Sequence, residues 1–181
     1  MRRLSHLLLL SAFCAASLSV AAAPSEPRRF ENARLEVRLM PRTPEQIAAF
    51  YIGRKFPEDM VAELRARCFI TVGIRNKSDD IVWLDLAQWR FADPAGALER
   101  YDRDYWKRRW EAMGAPLPAQ STFRWTLLPE ELDFRPGEAE GGNIILPRRP
   151  GPYVVEALFP TGAERTGEPI RVRFEPLTCA E

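Results

Sequence analysis

The strongest pattern in the chain is an alternation that starts at Cys68. Cys68, Ile70, Val72 and Ile74 alternate with Phe69, Thr71 and Gly73. This two-residue period places successive side chains on opposite faces of a strand. The polar run RNKSDD, Arg75 to Asp80, predicts a turn, and IVWLDL predicts a strand returning from it. WRF then extends that strand to a second turn at DPAG, Asp93 to Gly96. Upstream, Leu35, Val37 and Leu39 share one side of a half-buried strand, with Glu36 and Arg38 on the other. Downstream, TFRWTLL, GNIILP, YVVEALFP and IRVRFEPL read as further strands. The glycine- and proline-rich stretches RPGEAEGG, RRPGP and TGAERTGEP separate the last of these.

The period changes from two to 3.6 in two places. Thr43 is placed to cap a helix, Pro44 suits its first turn, and Gln46 completes a capping box. Ile47, Phe50 and Tyr51 fall on one face, and Gly53 fits the helix end. A second start follows at Pro57, with Glu58 and Asp59 in the favourable first turn and Met60, Val61 and Leu64 on the apolar face. The other helical stretch is YDRDYWKRRWEAMG, Tyr101 to Gly114, which carries four aromatic rings and four cationic side chains. Its apolar stripes are Tyr101, Tyr105 and Ala112, and Trp106, Trp110 and Met113, with Asp102 and Arg109 between them.

About seven or eight short strands with turns between them predict a mainly β fold, an immunoglobulin-like antiparallel β-sandwich with two short helical insertions. The insertions fall at about 43–66 and 102–113 of a single domain spanning 33–181. Many secreted binding and assembly modules share this architecture, which does not itself specify a function.

The N-terminus changes the inventory. Arg2 and Arg3 precede an apolar run from Leu7 to Val20, and small residues follow. This is the layout of a secretory signal peptide covering 1–22, with cleavage after Ala22. The run is shorter than the ~20 residues a membrane-spanning helix requires. The rival is a lipoprotein signal at Cys14, which Phe13 fits poorly because a small residue is expected there. Residues 23–32, polar and with two prolines, read as a flexible leader. The expected location is periplasmic or secreted, with no integral membrane segment after cleavage.

Cleavage removes Cys14 and His6. It leaves two cysteines, Cys68 and Cys179, and no histidine. An exported chain with two cysteines predicts one disulfide. Loss of Arg2 and Arg3 from 26 basic residues leaves 24 against 25 acidic ones, so there is no bulk charge to attract nucleic acid.

Without histidine, Ser–His and Cys–His nucleophile pairs are excluded, as are histidine-based metal sites. GEAEGG lacks the lysine of a phosphate-binding loop. The expectation is therefore no cofactor and no metal. NKSDD offers oxygen ligands for calcium but reads better as a polar turn. Glu130, Glu131 and Asp133, with Asp79, Asp80 and Asp85, leave open a carboxylate-based glycan hydrolase, which needs two carboxylates across a cleft.

The resulting expectation is an exported, non-enzymatic binding module, acting on a protein partner of the bacterial cell envelope as an assembly or accessory factor. The alternative is a glycan- or small-ligand-binding module. In both, the candidate contact residues are Asp102, Tyr105, Trp106, Arg109 and Trp110. Two arrangements are open for them. Either the rings pack inward, with Arg109 flat over a ring and Asp102 capping or pairing nearby, or some rings line a groove with Asp102 and Arg109 as its polar contacts.

Overall fold

The computed structural model describes residues 26–181. The expected signal peptide, its cleavage site and Cys14 lie outside the described residues. In chain order the elements are β1 (Arg28–Glu31), β2 (Leu35–Arg42), α1 (Pro44–Ile52), α2 (Glu58–Arg65), β3 (Arg67–Asn76), β4 (Val82–Asp85), β5 (Arg90–Asp93) and β6 (Gly96–Leu98). There follow α3 (Arg103–Ala112), α4 (Leu117–Thr126), β7 (Glu131–Phe134), β8 (Ala139–Pro147), β9 (Val154–Phe159) and β10 (Ile170–Arg173). The protein is mainly β; among the described residues there are antiparallel sheets ordered β1-β2-β3-β8, β10-β9-β5-β6 and β4-β7, and four α-helices.

Alternation along β2 and β3 creates two distinct cores. The inward side chains Leu35, Val37, Leu39, Cys68, Ile70, Val72 and Ile74 meet Phe91, Val155, Phe159 and Val172 from the second four-stranded sheet. The opposite face of β3 and β8 supplies Phe69 and Ile145, and these are buried too, beneath the helices. The four helices therefore form one layer over part of the first sheet. Thr43 caps α1 in a reciprocal capping box with Gln46, which starts the helix immediately after β2. The Tyr51 hydroxyl lies 2.8 Å from Thr126 Oγ1 and ties α1 to the end of α4.

Cys68 and Cys179 form a disulfide, with Cα atoms 5.5 Å apart across 111 positions. It holds the C-terminal segment against β3. Tyr153, fully buried beside it, accepts from the Arg149 amide at 2.7 Å and donates toward Pro147 O at 2.9 Å.

Four local expectations are corrected. The first concerns the leader. Arg28–Glu31 is a strand that pairs in register with Glu36–Leu39. Its sequence, RRFE, carries too little alternation to announce a strand. It is held by partners distant in sequence: Arg28 donates to Pro176 O at 3.0 and 3.1 Å, and Lys77 reaches Glu31 at 2.6 Å.

The second concerns the hairpin expected at RNKSDD. β3 pairs with β2 and β8, while β4 pairs with β7. The buried Asn76 explains the departure. Its amide donates to Asp80 O at 2.7 Å and to Phe134 O at 2.9 Å, and its oxygen accepts from Ser78 N at 2.9 Å. One side chain thus satisfies the backbone of a segment that leaves one sheet and enters another. These protein-internal bonds also account for NKSDD as a turn.

The third correction is TFRWTLL, which is helical through Thr126 and not a strand. Pro118 lies in the first turn of α4, and Phe123 is buried between helices. After α4 the backbone at Leu128 crosses β8 so closely that a Cβ on Gly142 would lie 2.4 Å from Leu128 N. The fourth is the strand count, which is ten among the described residues in place of about seven or eight.

Candidate functional site

The Trp-bearing helix α3 is positioned at both ends by local chemistry. Asp102 Oδ1 accepts from the Tyr105 amide at 2.7 Å, an N-cap that satisfies one of the helix's free donors. At the other end, Gly114 takes a positive φ of 64°, which only glycine adopts without cost. This lets the Ala115 amide return to Trp110 O at 3.0 Å. The chain then reverses through Pro116 into α4.

The rings pack inward. Trp106 and Trp110 are each 1% exposed, stacked at 4.9 Å between centroids. Phe123 of α4 meets both edge to face, at 5.0 and 5.2 Å, the favoured geometry for aromatic pairs. Tyr105, half-buried, stacks on Tyr101 at 4.4 Å. Neither indole N–H has an oxygen or nitrogen acceptor among the described residues.

Arg109 does not lie over a ring. Its guanidinium donates to Glu63 Oε2 of α2 at 2.6 Å, and Glu63 also takes a bond from Arg67 of β3. Arg67 in turn sits over the Tyr101 ring at 4.8 Å. Glu63 therefore clamps α2, α3 and β3 together. Burial pushes its carboxyl pKa up, but the hydrogen bonds from Arg109 and Arg67 outweigh this and leave it below the usual carboxylate range. The five residues singled out from sequence therefore separate: Asp102 is a cap, Tyr105 is half-buried against Tyr101, Arg109 is half of an ion pair, and Trp106 and Trp110 are core.

A groove of about 590 Å³ nevertheless opens between α3 and α4. Trp106, Trp110 and Phe123 contribute to its floor. Its polar lining carries the cations Arg103, Lys107 and Arg124 against the carboxylates Asp104 and Glu111. Lys107 approaches Glu111 at 4.0 Å. Arg103 has one long bond, to Leu127 O at 3.4 Å, and its Nε is buried without an acceptor among the described residues. Burial, and then the like charge of Arg124, hold its pKa below the ordinary arginine value. Neither Arg103 nor Arg124 has a carboxylate within 4.0 Å among the described residues.

The solvent side of α4 bounds the groove. Leu117, Ser121 and Arg124 recur at helical spacing, and Trp125 lies beside them. Leu117 is 76% and Trp125 84% exposed. Sequence reasoning missed this side because it read Trp125 as a strand residue. The signal that would have found it is PLPAQ, a proline-started segment of good helix formers.

Three of the acidic residues that hydrolysis would draw on are held by protein partners, and two of them, Asp85 and Glu131, share Arg165 at 3.7 and 2.9 Å. Glu130 is bound by Arg100, Glu131 by Arg165 at 2.9 Å, and Asp85 accepts from the Ala87 amide at 3.0 Å. Among the described residues, no three His, Cys, Asp or Glu side chains gather in a way that could hold a metal ion. No described helix is long and apolar enough to cross a membrane. A second concavity of about 600 Å³ lies on the outer face of the β9–β10 sheet, where Arg90, Arg171 and Arg173 surround Glu156. It lacks an aromatic floor.

No protein-family model and no curated protein matches the chain. Among solved structures it is similar to a candidate lipoprotein, ycdA, from Bacillus subtilis subsp. subtilis str. 168, at 9% identity and a TM-score of 0.40. The match covers 80% of this chain and 37% of that one, so the chain spans little more than a third of that protein's length.

Proposed function

We propose that the protein is an exported, non-enzymatic binding module of the bacterial cell envelope, built on an immunoglobulin-like sandwich, and that it recognises a protein partner through α4 and the α3–α4 groove. One observation carries this reading. α4 leaves Leu117 and Trp125 in solvent beside a concave, aromatic-floored groove. Tryptophan is enriched among the residues that dominate binding energy in protein interfaces. The two facing four-stranded sheets support the sandwich reading. The signal-like N-terminus and the disulfide support export. The separate arginine partners of Glu130 and Glu131 favour binding over hydrolysis. A glycan is the weaker alternative, because Trp106 and Trp110 are each 1% exposed and Trp125 alone among the aromatic residues of α3 and α4 is largely exposed for stacking.

The test is photo-cross-linking in the native cell, with the reactive residue placed at Ser121 and, as a control, at Arg171 on the far sheet. A discrete adduct at Ser121, absent at Arg171 and lost in Trp125→Ser, is expected. Equal capture at both positions, or none at Ser121, overturns the reading. Quenching of Trp125 fluorescence by envelope oligosaccharides would transfer the site to the glycan alternative.

A further inference from the structure

Resting on that reading, we infer the chemistry of the partner: an extended acidic segment that seats a carboxylate between Arg103 and Arg124 and lays apolar side chains along the groove, against Leu117 and Trp125. The argument begins with charge. Three cations line the groove against two carboxylates, and Lys107 faces one of these, Glu111. Arg103 and Arg124 line the same groove, and Glu130 and Arg100 also contribute to the charge around Arg103. Glu130 is itself bound by Arg100, through both of its oxygens. Arg103 and Arg124 thus repel one another with no carboxylate within 4.0 Å of either among the described residues. A carboxylate arriving at that end would relieve the repulsion and offer an acceptor to the Arg103 guanidinium, whose terminal nitrogens make only one long bond among the described residues, to Leu127 O at 3.4 Å. Such charge-assisted bonds to arginine are among the strongest available.

The apolar half of the argument concerns extent. A single small anion would need only the Arg103–Arg124 end. The groove continues past Trp110 to Leu117, and Trp125 extends the apolar surface outside it. A polypeptide carrying both an acid and an aromatic or aliphatic side chain fits this length, whereas a small anion leaves Leu117 and Trp125 uncovered. Electrostatic complementarity of this kind governs partner choice more than raw affinity.

The experiment is selection of random twelve-residue peptides, displayed on phage, against the folded full-length mature chain. Peptides with Asp or Glu close to an aromatic or aliphatic residue should be enriched. For a selected peptide, Arg124→Glu should weaken binding about tenfold or more, and Arg103→Gln with Arg124→Gln by a similar factor. Affinity for the parent should fall as salt rises. Arg124 is exposed, so its variant should melt like the parent and separate recognition from folding. Enrichment of neutral or basic peptides, no enrichment, or binding unchanged by Arg124→Glu overturns the inference. If Ser121 still cross-links a partner in that event, the acidic chemistry fails while the binding surface stands. If Ser121 captures nothing, the surface itself fails.

Discussion

The two cores of this protein are built from different materials. Between the sheets, the core is dominated by Val, Leu and Ile from strands, with Trp89, Phe91, Phe134, Tyr153 and Phe159 among them. Beneath the helices it is dominated by rings: Tyr51, Phe56, Phe69, Trp106, Trp110 and Phe123. Strands deliver side chains at a fixed alternation, so branched aliphatic residues fill the space between two sheets. Beneath the short helices, large planar side chains each bury much surface and pack against one another, so few contributors fill the core. The sheet core is closed by a covalent bond and the helical core by the Glu63 clamp. The helical layer is also the one that exposes Leu117 and Trp125.

That contrast is most directly broken by Trp106→Ala with Trp110→Ala. Each ring is fully buried, and a single truncation of this kind costs about 3–5 kcal/mol. The double variant should unfold, or lose most of its stability to chemical denaturation. A double variant that melts like the parent would mean that the helical layer contributes little to the fold. Next in size is the disulfide. Cys68→Ser opens a loop of 111 positions, a loss of roughly 5 kcal/mol in the chain-entropy model. The parent should fall to the variant's stability when reductant is added. Equal stability of the parent with and without reductant would show that the sheet core stands without its covalent closure.

The smallest effect sharpens the comparison by pH. Glu63→Gln should cost about 2 kcal/mol at neutral pH through loss of charge-assisted bonds. The folded-state pKa of Glu63 is depressed. Its contribution is therefore present above the unfolded value near ~4.3 and lost as pH falls through the lower folded value. The gap in melting temperature between parent and variant should close as pH is lowered from about 5 to about 3. A constant gap would mean that Glu63 acts through packing and not through charge.

The sheet core was legible because β2, β3, β9 and β10 alternate cleanly, and each inward position can be named from the period alone. The capping box at Thr43 and the starts of α1 and α2 were equally local, since a cap is a bond between residues three apart. The Trp-bearing helix was legible as a helix, but not in its role. Periodicity gave Asp102 and Arg109 a common face, and they do different jobs because Glu63 arrives from another helix. The end of α4 looks like a strand in sequence because Phe123, Trp125 and Leu127 alternate with Arg124 and Thr126. On a helix the same pattern sends Phe123 inward and Trp125 outward.

By itself the sequence determined the alternating strands, the caps, the pairable cysteines and the absence of histidine after residue 6, because each depends on residue identity and short spacing. Tertiary structure alone decided which strands pair, that Asn76 turns the chain between sheets, and that α3 and α4 lie side by side with a groove between them. These are contacts between residues far apart in the chain. No local period encodes them, and they follow from which surfaces can be buried together.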